Sequence, residues 1–198
     1  MRNSIYAYAM LRQDPCYKDI PPCQVPSLVE AALAHGCDAA EKLLIHTGYL
    51  NADELCQYFK IGLRDMPLVL LGKSVRGMYA NEPPTIYINP AAISELVQLI
   101  DIDENKARDT VIFHEIYHYL ERHGLGITWK MLEPIWKKDF LGRKKLTPIV
   151  TTCEIAAHSF AQKCGRMSFY PGEFDFVEDF AMLQTEYISI KMAIKKEG

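Results

Sequence analysis

Residues 114–118 read His-Glu-Ile-Tyr-His. On a helix, His114 and His118 lie four residues apart, one above the other on a single face. Two imidazoles at that spacing can converge on one cation, and zinc accepts nitrogen ligands at roughly 2.0–2.1 Å. Glu115 projects beside them, close enough to take a proton from a metal-bound water and too constrained to be the third ligand. This is the H-E-x-x-H arrangement of zinc peptidases, in which the Glu is the general base. The flanking run from Val111 to Leu120 is apolar nearly all round, which predicts a buried helix. Two His and one Glu inside such a helix are costly unless something satisfies them, and a metal with its water does so.

A catalytic zinc takes three protein ligands and keeps a fourth position open. A third His ten residues after the first is excluded, because Gly124 stands there. The strongest candidate is Glu154, in the helical run Cys153-Glu-Ile-Ala-Ala-His-Ser-Phe-Ala161, where Ala156, Ala157 and Ala161 are small enough to let two helices approach closely. His158, one turn on and on the same face, is the rival ligand. The preferred role for His158 is to support a ligand or face the substrate. His123, Tyr117 and Tyr170 join it as candidates to donate to a developing oxyanion.

The elements that must position these groups follow from punctuation and periodicity. Residues 1–24 show little periodicity and read as a short strand or irregular arm. Ser27 with Glu30 forms a capping-box pattern opening a helix to Ile45, and Asn51 with Glu54 forms another leading to Gly62. Residues 67–72 read as a buried strand. Residues 77–80 and 85–89 follow as half-buried strands of a small, largely antiparallel sheet. Helices are predicted over 91–100, 104–123, 129–139, 148–164 and 175–196, with Thr147-Pro148 starting the fourth and Lys191, Lys195 and Lys196 closing the last. The fold class is α+β with a helix-rich C-terminal half. Residues 1–66 read as a helical extension packed on a core over 67–198, together one compact unit.

Composition bounds the function. The 198 residues carry a net charge of −3, which gives no general electrostatic reason to bind nucleic acid or an anionic membrane. No apolar stretch approaches the roughly 18 residues of a spanning helix, and the first residues make a poor signal peptide. Six cysteines without a C-x-x-C pair are expected as free thiols in a reducing compartment, the cytoplasm. The cluster Lys137, Lys138, Arg143, Lys144 and Lys145 reads as a solvated loop and helix end, or as a rim attracting an acidic substrate segment or DNA.

The run Ile86-Tyr-Ile-Asn89, the H-E-I-x-H helix and the later Glu154, Ala157, Phe160, Ala161 pattern resemble the ImmA/IrrE family of gluzincin-like metallopeptidases. The resemblance covers roughly residues 67–171. It implies a zincin-like fold, one zinc held by His114, His118 and Glu154, Glu115 as base, and a protein or peptide substrate such as a transcriptional repressor. Three positions depart from the family pattern: Tyr117 in place of a small residue, His158 where Asn or Asp is common, and Ser168 where Pro is common. Some members carry a helix-turn-helix domain, but residues 27–62 offer no convincing recognition helix or basic face. The competing expectations are a catalytically silent zinc-binding module with a regulatory or interaction role, and a transcriptional regulator that binds DNA through residues 27–62 and uses zinc structurally, against which the acidic balance counts.

Overall fold

The computed structural model describes residues 1–100, 102–138, 140–176 and 180–197. Its order is α1 (Arg2–Arg12), α2 (Val25–Thr47), α3 (Ala52–Phe59), β1 (Gly62–Asp65), β2 (Val69–Leu70), β3 (Lys73–Ser74), β4 (Gly77–Asn81), β5 (Pro84–Ile88), α4 (Pro90–Ile100), α5 (Glu104–Leu120), α6 (Thr128–Met131), β6 (Ile135–Lys138), β7 (Lys144–Thr147), α7 (Thr151–Cys164) and α8 (Phe180–Glu197). The chain is α+β. No helix among the described residues is long and apolar enough to cross a membrane.

The N-terminal arm is a helix, not a strand or irregular segment. In α1, Ile5, Tyr6, Ala7, Tyr8, Ala9 and Leu11 are all buried. Tyr6 packs on Phe180, and Tyr8 packs on Tyr187 of α8. A helix enclosed on most sides has no polar stripe, so its sequence shows no 3.6-residue period. Helix α2 begins at Val25, two residues before the expected cap. Ser27 Oγ donates to the Gln24 carbonyl instead of capping. The second capping box does form: Asn51 Oδ1 accepts from Glu54 N at 2.9 Å, and Glu54 Oε2 accepts from Asn51 N at 2.8 Å. That helix stops at Phe59, and Gly62 opens β1.

The main sheet has the order β1-β5-β4 and is mixed: β5 pairs antiparallel with β4 and parallel with β1. Ile86 and Ile88 are buried while Tyr87 is half-buried, the alternation expected of that strand. Strand β1 escaped the sequence reading because Arg64 and Asp65 interrupt any apolar period. Residues 67–72 are not a buried strand. Val69 and Leu70 pair with Ser74 and Lys73 in an exposed hairpin, turned by Leu71 at φ +50° and Gly72 at φ +79°.

The expected helix 129–139 is only the single turn α6. Beyond Pro134 the chain forms the β6–β7 hairpin, which carries the basic cluster. Proline ends the helix, and Ile135-Trp136 favour a strand. Thr147 belongs to β7, so α7 starts at Thr151, where Asp14 Oδ2 accepts from Thr151 N at 3.0 Å. Residues 171–175 are a 3₁₀ turn, and the start expected for α8 falls partly on residues 177–179, outside the described residues.

Two apolar cores meet at α7. One gathers α3, β5, α5 and Ala157, Phe160 and Ala161 of α7, and the other gathers α1, α2, α8 and Ile155. The expected boundary at 66/67 falls between β1 and β2, and residues from both sides enter both cores.

Candidate metal centre

Helix α5 is started by Asp103, whose side chain accepts from Lys106 N at 3.1 Å. Ile112, Phe113, Ile116 and Tyr117 of this helix are buried in the core, and His114 and His118 face Glu154 of α7. Helix α7 is fixed from behind by α2. A Cβ added to Gly36 would lie 2.0 Å from the Ala156 carbonyl oxygen, so only glycine permits that approach. With α7 seated there, Glu154 in its first turn faces the two imidazoles.

The donor atoms of His114, His118 and Glu154 all lie within 4.8 Å of one another. His114 Nε2 is 3.1 Å from Glu154 Oε2 and 3.2 Å from His118 Nε2, while His118 Nε2 is 3.4 Å from Glu154 Oε1. Two imidazole nitrogens and one carboxylate are a donor set suited to zinc. His114 and Glu154 of the cluster line a cleft of about 480 Å³, whose wall also includes Ser74, Arg76, Gly77, Glu95, Leu96 and Val111. Protein encloses the Glu154 carboxylate on most sides, yet its side chain is 49% accessible through the cleft mouth. Burial would raise the Glu154 pKa, but hydrogen bonds from both His outweigh it and hold the group well below the usual carboxylate range. Burial would lower His118, but its hydrogen bonds to Glu121 and Glu154 dominate and push it up to about 10.

Glu115 also lines the cleft and is buried. Burial raises its pKa above the ordinary carboxyl value despite the two neighbouring His, and the Tyr79 backbone N–H donates to it. Strand β4 comes this close because of Gly77: a Cβ there would lie 2.5 Å from Val111 Cγ1 and 3.2 Å from Glu115 Oε1.

Of the four further candidates, only His158 lines the cleft. Its ring centroid is 4.6 Å from that of His114, and its buried Nδ1 has no partner among the described residues. Burial, then the charges of His114 and Arg76, lower its pKa well below the ordinary value, so the ring is neutral. It stands outside the three-donor cluster. Tyr170 is fully buried behind His158 and donates to the Ile155 carbonyl at 3.2 Å. Tyr117 is fully buried against Phe160 and hydrogen-bonds Thr128 Oγ1. His123 is exposed, stacked on Tyr119 with Nδ1–H donating to the Tyr119 carbonyl at 2.9 Å.

Sequence reasoning passed over Glu121. Its Oε2 is 3.0 Å from His118 Nδ1, and its Oε1 accepts from Thr128 N and Thr128 Oγ1 at 2.8 and 2.6 Å. Burial would raise this carboxyl, but the hydrogen bonds from His118 and Thr128 lower it below the ordinary value. The available signal was spacing, since Glu121 stands three residues after His118 on the same helical face. Gly36, Gly77 and Asp14 carried no local signal, because each acts on an element distant in sequence.

Comparison with protein-family profiles, with curated proteins and with solved structures finds no match to this chain.

Proposed function

We propose that the protein is a zinc-dependent peptidase of the zincin-like, ImmA/IrrE type, in which His114, His118 and Glu154 hold one zinc ion and Glu115 is the general base. The observation that carries this reading is the convergence of three donor atoms from two helices, within 4.8 Å of one another, beside an open cleft that His114 and Glu154 line. When bound, zinc polarises a scissile carbonyl and lowers the pKa of its water toward about 7.

The chain's own groups supply the remaining steps. Glu115 receives the proton of the attacking water on its carboxylate and returns it to the leaving amine. The pKa elevation that burial gives this carboxyl brings it closer to the range in which both transfers are efficient. The Tyr79 N–H holds the carboxylate in orientation. His158, neutral and lining the cleft beside His114, is the group placed to face a developing oxyanion. An open cleft of about 480 Å³ beside the donor cluster is compatible with a protein or peptide substrate, and the family resemblance directs attention to regulatory proteins such as repressors. Six free cysteines are compatible with a cytoplasmic setting.

The test joins metal analysis of the purified chain with Glu115→Gln. Zinc retained with cleavage lost supports the scheme, and undiminished cleavage by Glu115→Gln removes the assigned base. A proteomic comparison of cells carrying either form is expected to reveal a protein that accumulates only with the variant.

A further inference from the structure

We infer that Glu121 is a positioning residue for this centre, a carboxylate locked by Thr128 that keeps the His118 proton on Nδ1 and turns Nε2 toward His114 and Glu154. The inference rests on the zinc reading above.

The backbone supplies the lock. After Leu120 the helix widens into a π turn over Glu121–Leu125, with His123 at φ −116° and Gly124 at φ +147°. That excursion returns the chain so that the Thr128 N–H faces Glu121 Oε1, seven residues back. The Thr128 hydroxyl donates to the same oxygen, so the Tyr117 hydroxyl donates in turn to Thr128 Oγ1. The Cys153 thiol adds a further donor to the carboxylate. With N–H, O–H and S–H groups all directed at it, Glu121 acts only as an acceptor, and His118 Nδ1 must carry the hydrogen between them. In the neutral ring that a metal requires, the lone pair of His118 then lies on Nε2, the atom that faces the other two donors.

An ordinary i, i+3 ion pair on a helix surface needs none of this apparatus. Here the Glu121 side chain is only 5% accessible, and the helix gives up its regular geometry where the carboxylate is held. Carboxylates that orient a metal-bound imidazole fix its tautomer and raise its basicity, and their removal costs about 10- to 100-fold in metal affinity.

Glu121→Gln is the decisive substitution because it keeps the shape and changes the hydrogen count. Thr128 N–H still requires an acceptor and claims the amide oxygen. Without zinc, the amide NH₂ then faces His118 Nδ1 and donates to it, which moves the imidazole hydrogen to Nε2, toward the ligand cluster. Zinc affinity of the full chain is measured by competition with a chelating dye. The His118 Nδ1–H is observed by NMR in the zinc-loaded protein. The expected result is a loss of about 10- to 100-fold in affinity, with a strongly downfield Nδ1–H resonance in the wild type that is lost in the variant, whose zinc-bound ring keeps its hydrogen on Nδ1 but has no carboxylate to accept it. Equal affinity with the resonance retained overturns the inference alone. A wild type that binds no zinc overturns the functional reading and this inference with it. If Glu121→Gln fails to fold, Thr128→Val leaves the carboxylate in place and removes one of its donors. A several-fold loss of affinity then supports the inference, and unchanged affinity overturns it.

Discussion

The floor and the rim of the cleft are built by different physics. On the floor, α5 and α7 meet through Ile116, Tyr117, Ala157 and Phe160, all fully buried, and α2 presses α7 from behind at Gly36. On the rim, the β2–β3 hairpin holds Val69, Leu70 and Leu71 out to solvent, with Leu71 96% exposed. It is held by the Asn89 side chain, whose Nδ2 lies within hydrogen-bond distance of Leu68 O, Ser74 Oγ and Val75 O, and at its two ends by Met66 N donating to Ile88 O and Asn89 N donating to Arg76 O. Three donor atoms must be held to fractions of an ångström, and only close packing of helices achieves that. A wall that borders the cleft needs a tether, and a few hydrogen bonds centred on Asn89 supply it.

The sharpest way to break this contrast is to make like changes on the two sides. Gly36→Val places side-chain atoms where the Ala156 carbonyl already lies, and backbone on both helices cannot step aside. The expected destabilisation is about 4 kcal/mol or more, in the exceptional range for single substitutions. At roughly 2–4 °C per kcal/mol for a chain of this size, the melting temperature falls by about 8 °C or more, and zinc binding is lost with it. Gly72→Ala on the rim meets nothing within 4 Å and carries only the strain of φ +79°, about 1–2 kcal/mol. Thermal denaturation of the two variants measures the difference, and equal losses would erase the distinction between floor and rim.

Metal addition tests the floor from the other direction. Zinc that binds only the folded chain stabilises it by about 2.7 kcal/mol at a hundredfold excess over its dissociation constant. The melting temperature therefore rises by roughly 5–10 °C in the wild type and in Glu115→Gln. His118→Ala removes a donor and is expected to abolish the rise. A rise that survives in His118→Ala places the ion elsewhere.

The sequence exposed the floor better than the rim, for identifiable reasons. His114 and His118 are adjacent on one helix, so four-residue spacing alone predicts their common face. Glu154 required a guess about tertiary approach, supported by the alanines beside it. Within that alanine run the Ala156 backbone lies against Gly36 of α2, and Ala156, Ala157 and Ala161 all enter the core shared with α5. Glu121 was hidden because its partner Thr128 reaches it through an irregular turn that no propensity predicts. Helix α1 was missed for want of a polar stripe. The rim misled in the opposite sense, since Leu68-Val69-Leu70-Leu71 carries the composition of a buried strand and Leu68 alone is buried. Pro134 likewise broke a helix that residues 129–139 otherwise suggested.

The tether itself gives a smaller, local effect. Asn89→Ala leaves the Leu68 and Val75 carbonyls without their side-chain donor. The cost is about 1–3 kcal/mol if those groups stay buried, and less if the hairpin swings out to water. Amide hydrogen exchange separates the two regions: residues 68–76 are expected to exchange faster while α7 keeps its protection. Loss of protection in α7 as well would mean that the wall supports the floor.

The smallest effect belongs to the hairpin tip and is expected to be favourable. Leu71 and Gly72 form a two-residue turn with both φ values positive, a geometry for which Asn-Gly is strongly preferred. Leucine is strained at φ +50°, whereas asparagine tolerates the left-handed region, and Leu71 gives up almost no buried surface on replacement. Leu71→Asn therefore changes stability by at most about 0.5 kcal/mol, on the stabilising side, because surface changes away from packing fall in that range. Its zinc affinity should match that of the wild type, since none of the three donors touches the tip. A loss above about 1 kcal/mol exceeds that surface range. With the fold otherwise intact, it would show that Val69, Leu70 and Leu71 are covered in solution and that the rim is packed after all.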